Sequence, residues 1–414
     1  MRKLLFIFTL ISFVSSAQTS PPSNLKAGTW RAVLLLDRER NIELPFNFDL
    51  VFKNKTQLVI KNAGEKIVVD EITMTKDSFN FKMPVFDSEF RTKITSEGAI
   101  EGIWINHARK DKNIIPFKAQ YNNPKRFDFP ADKPHTFYTG NWETTFSPGT
   151  ADSSKALGVF KHEGGSVYVT GTFLTETGDY RYLEGMMSRG KLYLSCFDGA
   201  HAFLFTAEND GVNIVRGNFY SGVHWQEPWI AKRNDNYKLK DPESITTLKT
   251  PDEKVSFSFP NLDKKTVSLN DEKFKNKVVV IQIMGSWCPN CMDETAYLSK
   301  VYKQYKIKGL EVVALAYEKS EDFEKNKKNI TRLKNKYGVE YEMLITGLSG
   351  KAKASESMAF LNGITAFPTT IILDRKHNVK SIYTGFSGPA TGKEFENYKA
   401  KTESLLTQLL LKKD

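Results

Sequence analysis

The sequence predicts a multidomain protein with an N-terminal all-β region, built as duplicated barrel or sandwich units, and a C-terminal α/β domain. At 414 residues the chain is long enough for two to three domains. Up to about residue 233, short runs rich in β-branched and aromatic residues alternate with Asn, Gly, Asp and Lys clusters, which is typical of an all-β structure. Beyond residue 254, strand and helix patterns alternate, which indicates a mixed sheet covered on both faces.

Composition excludes several classes of protein. Hydrophobic residues make up 40% of the chain and charged residues 26%, as in ordinary globular proteins, so global disorder and a disulfide-stapled miniprotein are excluded. The formal charge of +11 comes from acids and bases that are interleaved along the chain. We expect no nucleic-acid partner, because the sequence has neither a Gly-aromatic RNA-binding signature nor Cys/His finger spacing.

The first 17 residues have the pattern of a signal peptide. Arg2 and Lys3 precede an apolar stretch over residues 4–14, and small residues at 15–17 form a cleavage site. The apolar stretch is shorter than the roughly 20 residues that span a bilayer, so cleavage near Ala17 is favoured over an uncleaved anchor. We therefore expect an exported, soluble, periplasmic protein with no membrane span after signal cleavage.

The β region contains an internal repeat at a spacing of 112 residues. The recurring residues are Gly28 and Gly140, Trp30 and Trp142, Pro116 and Pro228, and Ala119 and Ala231. A spacing that holds across so long a stretch indicates duplication rather than chance. The repeat divides the region into unit 1 (residues 18–130) and unit 2 (residues 131–233), each with room for about eight strands.

Residues 234–253 are polar, contain Pro242 and Pro251, and predict a linker. The C-terminal domain then runs over residues 254–414. Its predicted strands are 278–285, 310–316, 341–345, 369–373 and 379–383. Its predicted helices are 289–305, 321–337, 352–361 and 393–412.

Two of the three cysteines form the motif Trp287-Cys288-Pro289-Asn290-Cys291, where a buried strand gives way to a helix. A cysteine at a helix N-terminus is favoured as a thiolate by the unpaired N–H groups and the helix dipole. Pro289 suits the first helical turn because that position needs no N–H. Cys291 lies one turn further on, where it can form a disulfide with Cys288. The pair therefore predicts cycles of attack, mixed disulfide and resolution.

These motifs, with 257–260, 265–269, 309–313 and 367–370, resemble the thioredoxin fold of TlpA/ResA-like thiol–disulfide oxidoreductases, over residues from about 255 to 411. The resemblance implies an enzyme that reduces protein disulfides, with Cys288 attacking and Cys291 resolving. It also implies a cis Pro368 against the sulfurs. No cofactor and no metal are expected beyond the thiols.

The same resemblance assigns the remaining site residues and partners. Glu294 matches an acidic residue that assists proton transfer, and Phe367 is expected to face the substrate, with Trp287 and Pro289 as further substrate contacts. The implied partners are protein thiol or disulfide clients and an inner-membrane thiol shuttle that acts as the reductant.

One position departs from the thioredoxin pattern. Thioredoxins bury a carboxylate six residues before the nucleophile, and this chain has Gln282 there. An amide cannot take the proton of Cys291, so that role would pass to Glu294 or to water.

Other functions for the same residues remain open. A zinc site would need two more ligands, haem attachment would need His instead of Met292, and a peroxiredoxin would need Thr or Ser instead of Gly285. A structural disulfide is the plainest alternative. With the redox role kept, the protein could instead be an oxidant or isomerase. The β units could also be the main ligand-binding or partner-binding part, with the thioredoxin fold as an accessory.

The remaining candidates have ordinary structural interpretations. Cys196 lies in a stretch with the alternating pattern of a strand, and we expect it to be a buried thiol. The alternative is that it acts as a third redox partner. The six histidines show no metal spacing, and residues 385–392 read as a loop near the active face. We expect five tryptophans to lie in the β core or to line a ligand cavity: Trp30, Trp104, Trp142, Trp225 and Trp229.

Overall fold

The computed structural model describes residues 21–130, 132–133, 137–162 and 166–412. The signal peptide predicted over residues 1–17 lies outside these residues. Within the part of the chain that is described, no helix is long and apolar enough to cross a membrane.

Unit 1 is one antiparallel sheet of nine strands. Each strand pairs with the next in sequence, except that β4 and β5 do not pair, and the first strand pairs with the last. The sheet therefore curls like a barrel that stays open between β4 and β5. The strands are β1 (Gly28–Asp37), β2 (Ile42–Phe52), β3 (Thr56–Asn62), β4 (Glu65–Val69), β5 (Glu71–Met74), β6 (Phe79–Lys82), β7 (Ser88–Ser96), β8 (Ala99–Asn106) and β9 (Ile114–Tyr121).

Unit 2 also has nine strands, and its ring is closed. Its first and last strands pair, and an additional pairing of β11 with β12 completes the circle, while the short β13 pairs only with β12. The strands are β10 (Gly140–Phe146), β11 (Ser154–His162), β12 (Tyr168–Thr175), β13 (Gly178–Asp179), β14 (Leu183–Ser188), β15 (Lys191–Phe197), β16 (Ala202–Asn209), β17 (Ile214–Ser221) and β18 (Trp225–Arg233).

The repeated residues occupy equivalent places in the two units. Trp30 donates its indole N–H to the carbonyl of Lys26 at 3.0 Å, and Trp142 donates to that of Tyr138 at 2.9 Å. Both rings are buried in the first strand of their unit. Each unit thus fixes the entry of its first strand by the same bond. Eight strands per unit were expected, and nine are present in each; a strand of two residues such as β13 is too short to show an alternating pattern.

The two units pack together through an apolar contact and a buried arginine. Phe46 of unit 1 stacks on Phe197 of unit 2 with ring centroids 4.5 Å apart. Arg126 donates to Ser195 Oγ at 2.7 Å and to Asn62 Oδ1 at 2.9 Å, and it pairs with the carboxylate of Glu184. The two units therefore form one body, with a buried polar cluster around Arg126 at their interface.

The C-terminal domain has the predicted α/β arrangement, the thioredoxin fold. Its main sheet has the order β23-β22-β21-β24-β25, with parallel pairing of β21–β22 and β22–β23 and antiparallel pairing elsewhere. All seven residues of β21 are buried, as expected for a strand covered on both faces. The elements are β19 (Ser258–Pro260), β20 (Thr266–Ser268), β21 (Val278–Met284), α1 (Pro289–Tyr305), β22 (Leu310–Ala316), α2 (Phe323–Tyr337), β23 (Glu342–Ile345), α3 (Gly350–Ser357), β24 (Thr369–Leu373), β25 (Val379–Thr384) and α4 (Lys393–Leu411).

Part of the segment predicted as a linker is packed on the C-terminal domain. Thr246 is fully buried, and its N–H donates to Thr384 Oγ1 at 3.2 Å. The Lys249 N–H donates to the carbonyl of Phe360 at 3.0 Å. Polar composition suggested a free linker, but the attachment uses backbone groups, which composition does not reveal.

Four of the five tryptophans in the β region are buried, and Trp225 is the exception. It is 45% exposed at the start of β18, opposite Ser221 next to the hairpin turn, so its assignment to the core was wrong. Cys196 lies in β15 among the core residues of unit 2 and has no exposed surface.

Candidate active site

The cysteine pair lies where β21 passes into α1. Cys288 is the N-cap of the helix, with extended backbone angles, and Pro289 occupies the first turn. The backbone N–H of Cys291 points at the Cys288 sulfur, 3.2 Å away. An N–H group directed at that sulfur, together with the helix dipole, stabilises negative charge on it when the pair is reduced.

The two sulfurs are joined in a disulfide, and they differ in access. Cys291 is fully buried, whereas Cys288 keeps 7% of its surface exposed and lines a cleft. An external thiol or disulfide can therefore reach Cys288 and not Cys291. This asymmetry fits an attacking first cysteine and a resolving second one.

The peptide bond between Phe367 and Pro368 is cis, and it lies against the pair. The Phe367 carbonyl oxygen is 3.5 Å from the Cys288 sulfur. The Phe367 ring meets Trp287 edge to face at 5.7 Å, and the Trp287 indole N–H donates to the carbonyl of Tyr317 at 3.0 Å. The aromatic residues predicted to contact substrate thus frame the reactive sulfur.

Glu294 is a buried carboxyl group on α1, three residues after Cys291. One of its oxygens accepts hydrogen bonds from Thr370 Oγ1 at 2.7 Å and from the Tyr398 hydroxyl at 3.1 Å. The other accepts from the Gln282 amide at 2.9 Å. Burial raises the pKa of Glu294 to about 7, against the opposing effect of these three donors. The group is therefore poised to exchange a proton near neutral pH.

Comparisons with known proteins find similarity in the C-terminal part of the chain, which holds this site. Residues 249–401 match the family model described as Redoxin. The C-terminal part of the chain is a Redoxin domain. A protein named thiol-disulfide oxidoreductase ResA, from Bacillus thuringiensis strain Al Hakam, is 26% identical over 149 residues, which cover 36% of this chain and 76% of that protein. The thioredoxin-like protein YneN from Bacillus subtilis strain 168 is 29% identical over 140 residues, 34% of this chain and 72% of that protein.

Among solved structures, the chain is similar to a thiol-disulfide oxidoreductase from Bacteroides fragilis NCTC 9343. It is 21% identical, covers 36% of this chain and 97% of that chain, and has a TM-score of 0.29.

The loop before Cys288 in the Redoxin domain is held by a residue that sequence analysis missed. Glu318, which follows β22, accepts hydrogen bonds from the Ser286 N–H at 2.7 Å and from Ser286 Oγ at 2.6 Å. Glu318 is 4% exposed, and burial raises its pKa. A carboxylate just past a strand end, near the start of α1 in a parallel sheet, was the available signal.

A second missed cluster joins the Redoxin domain to both β units. The buried guanidinium of Arg181 in unit 2 pairs with Asp293 of α1 and, at 2.7 Å, with Glu65 of unit 1. Asp198 lies 3.5 Å from the same side chain. Burial raises the pKa of Asp293 to about 7 despite the neighbouring Arg181 charge. Three sequence-distant segments therefore meet at one cation beside the redox helix.

Two further contacts lie close to the Arg181 cluster. Asp179 of unit 2 accepts a hydrogen bond from the Gly388 N–H of the Redoxin domain at 2.6 Å. The Asn290 amide donates to the carbonyl of Phe386 at 3.0 Å. The glycine-rich loop 385–392, expected near the active face, thus lies at the interface between unit 2 and the redox helix.

Among the described residues, no three His, Cys, Asp or Glu side chains are grouped so that they could hold a metal ion. Cys196 is enclosed in the core of unit 2, and burial raises its pKa well above that of an ordinary thiol. A buried protonated thiol has the properties of a structural residue.

Proposed function

We propose that this thiol–disulfide oxidoreductase works as a reductase of protein disulfides. The observation that carries the proposal is the asymmetric pair, with Cys288 at a helix N-cap facing a cleft and Cys291 enclosed behind it. A reductase needs an accessible, stabilised thiolate and a shielded second thiol to finish the reaction.

The reaction is a two-electron exchange. The Cys288 thiolate attacks one sulfur of the client disulfide, and the other client sulfur leaves as a thiolate and takes up a proton. Cys291 then loses its proton and attacks Cys288. The second client thiol is released, and the Cys288–Cys291 disulfide remains. The client gains two electrons from the protein pair and takes up two protons. One proton corresponds to the one that Cys291 gives up, and the other comes from solvent, because Cys288 starts as a thiolate.

We assign Glu294 as the group that accepts the proton of Cys291 in the resolving step. It lies on the same helix three residues later, it is buried, and its pKa of about 7 lets it accept a proton near neutral pH. Gln282 supports this role by donating to the carboxylate, since an amide cannot itself take the proton.

The proposal includes location and partners. The leader predicted over residues 1–17 supports export to the periplasm, with protein thiol or disulfide clients there. A membrane-bound dithiol shuttle would return the pair to the reduced state, since each cycle consumes the dithiol.

The reduction potential of the Cys288–Cys291 couple tests the direction of electron flow. A value near the roughly −270 mV of thioredoxin supports a reductase, and one near the roughly −120 mV of a strong oxidant would make the protein an oxidant or isomerase. The measurement uses equilibration of the full chain with redox buffers and mass detection of alkylated thiols.

A further inference from the structure

The Cys288 sulfur opens into a cleft between the Redoxin domain and the two β units. The cleft has a volume of about 1250 Å³ and takes lining residues from all three. Small-molecule pockets usually hold about 300–1,000 Å³, so this space is larger than a small metabolite needs. It accommodates a stretch of polypeptide.

Contacts across the cleft limit what can enter. Lys325 of α2 pairs with Asp87 of unit 1 at 3.7 Å, and Asp179 of unit 2 bonds to the Gly388 N–H at 2.6 Å. All but Gly388 belong to the cleft lining. A folded client would collide with these bridges, whereas an extended segment fits between them.

Unpaired positive charge lines the same space. Arg109 of unit 1 and Lys319 of the Redoxin domain both line the cleft, and neither has an ion-pair partner among the described residues. The Lys319 ammonium lies over the Trp287 ring, 4.6 Å from its centroid, directly beside Cys288. Lys319 therefore places a cation in the same cleft as Cys288, against the residue that precedes it.

His224 of unit 2 shows that these charges converge. Its ring lines the cleft and makes no side-chain hydrogen bond with another described residue. Burial, followed by the charges of Arg109, His201, Lys112 and Lys319, lowers its pKa to about 4. The ring is therefore neutral at pH 7 and stands in a positive field.

Four carboxylates also line the cleft, and they offset this positive field only in part. Asp87 is paired with Lys325, Asp179 accepts from backbone N–H groups, and Glu318 accepts both hydrogen bonds of Ser286. Only Glu176 is exposed and without such a bond. Glu318 attracts Lys319 electrostatically, but the described residues form no ion pair with Lys319 or Arg109. An anion entering the cleft thus meets two cations that are free to pair with it.

We propose that the cleft is the substrate site and that it binds an extended peptide disulfide with an acidic residue beside its cysteine. Arg109 and Lys319 contact the carboxylate while Cys288 attacks the neighbouring sulfur. The inference rests on the proposed reductase function and adds the substrate class and the part played by the β units, which form one wall of the site.

Single-turnover kinetics with the pre-reduced full-length protein test the inference. The probes are two short synthetic peptide disulfides that are identical except for Glu or Gln next to the cysteine. Wild type is expected to reduce the Glu peptide about 5- to 10-fold faster, which is the size of a partly exposed, charge-assisted contact. Raising the salt concentration should lower that ratio.

Variants assign the preference to residues. Arg109→Gln and Lys319→Gln should each lower the Glu-to-Gln rate ratio about threefold, and the double variant should bring it close to one. Lys328→Gln is the matched control, because Lys328 is an exposed lysine of α2 outside the cleft and carries the same charge change. Its ratio should equal that of wild type.

The outcomes separate the two proposals. If wild type reduces both peptides at the same rate, or if the double variant keeps the preference, the inference is overturned while the reductase function stands. If wild type reduces neither peptide, the reductase function itself fails. As a second readout, an unreactive Cys→Ser version of the Glu peptide should raise the His224 pKa above about 4 in the oxidised protein; an unchanged value would also contradict the inference.

Discussion

Gln282 donates its side-chain amide N–H to the carboxylate of Glu294 at 2.9 Å in the core of the Redoxin domain. The Gln282 carbonyl oxygen accepts from Thr295 Oγ1 at 3.1 Å, so the amide is satisfied on both sides. The pair therefore places one titrating group behind the cysteines, and the amide fixes its orientation. With Gln in place of the usual strand carboxylate, the buried carboxyl group at this place lies on the helix instead.

The pH dependence of catalysis tests this arrangement. For wild type, the rate of mixed-disulfide resolution should rise through about pH 7 as Glu294 ionises and becomes able to take the Cys291 proton. In Glu294→Gln the inflection should disappear, with a loss on the order of 100-fold at pH 8. Stopped-flow Trp fluorescence between pH 5 and 9 measures it. Glu394→Gln, an exposed carboxylate of α4, is the control; an inflection retained in Glu294→Gln would refute the assignment.

Stability should depend on pH through the same group. Because the pKa of Glu294 is raised from 4.5 to about 7 on folding, its protonated form is favoured in the native state. Its contribution is complete below pH 4.5 and is lost as pH rises through 7, by about 3 kcal/mol at most. The free energy of unfolding of wild type relative to Glu294→Gln should therefore fall between pH 4.5 and 7. Urea titrations measure it, and a constant difference across this range would contradict the shifted pKa.

Removing the buried Arg181 side chain should lower the free energy of unfolding more than most single substitutions do. Arg181→Met leaves Asp293, Glu65 and Asp198 without their common cation, and breaking a buried ion pair typically costs about 3–5 kcal/mol. Adding Asp293→Asn should restore part of the loss, because it removes one of the stranded charges.

The exposed Arg216–Asp210 pair provides the comparison for Arg181. Arg216→Met should cost less than about 1 kcal/mol. Chemical denaturation of both variants gives the two values. Equal costs would mean that the buried cluster does not hold the domains together.

Gly178→Ala should loosen the contact between unit 2 and the redox helix. Gly178 has a φ of +153°, and an added Cβ would overlap the Asn290 side-chain amide. We expect a loss of about 1–3 kcal/mol and faster hydrogen exchange around residues 176–181. Gly149→Ala is the control, since Gly149 also has a positive φ of +79° but open space around it. Similar hydrogen-exchange rates in the two variants would show that the contact with Asn290 does not stabilise this interface.

The sequence was most informative where structure is local. The apolar run of β21, interrupted only by Gln282, and the cap at Cys288 place the strand and the helix to within a residue. The repeat was visible because Trp30 and Trp142 each anchor a first strand. Confirmed on this basis are the two-part fold and the thiol–disulfide oxidoreductase resemblance.

Features made by distant segments were not predictable. Arg181 meets partners at positions 65, 198 and 293, and no local pattern marks it as the joint of three domains. Glu318 reaches Ser286 only because β21 and β22 are neighbouring parallel strands. Trp225 looks like a core residue by type, but its position beside a hairpin turn exposes it.

Trapping of the mixed disulfide tests the central claim most directly. In Cys291→Ser, Cys288 can attack a disulfide but nothing resolves the product, so mass spectrometry should find the protein covalently joined to client chains through Cys288. Cys288→Ser should trap none. Adducts through Cys291 instead, or no adducts from the reduced Cys291→Ser protein with peptide disulfides, would contradict the account.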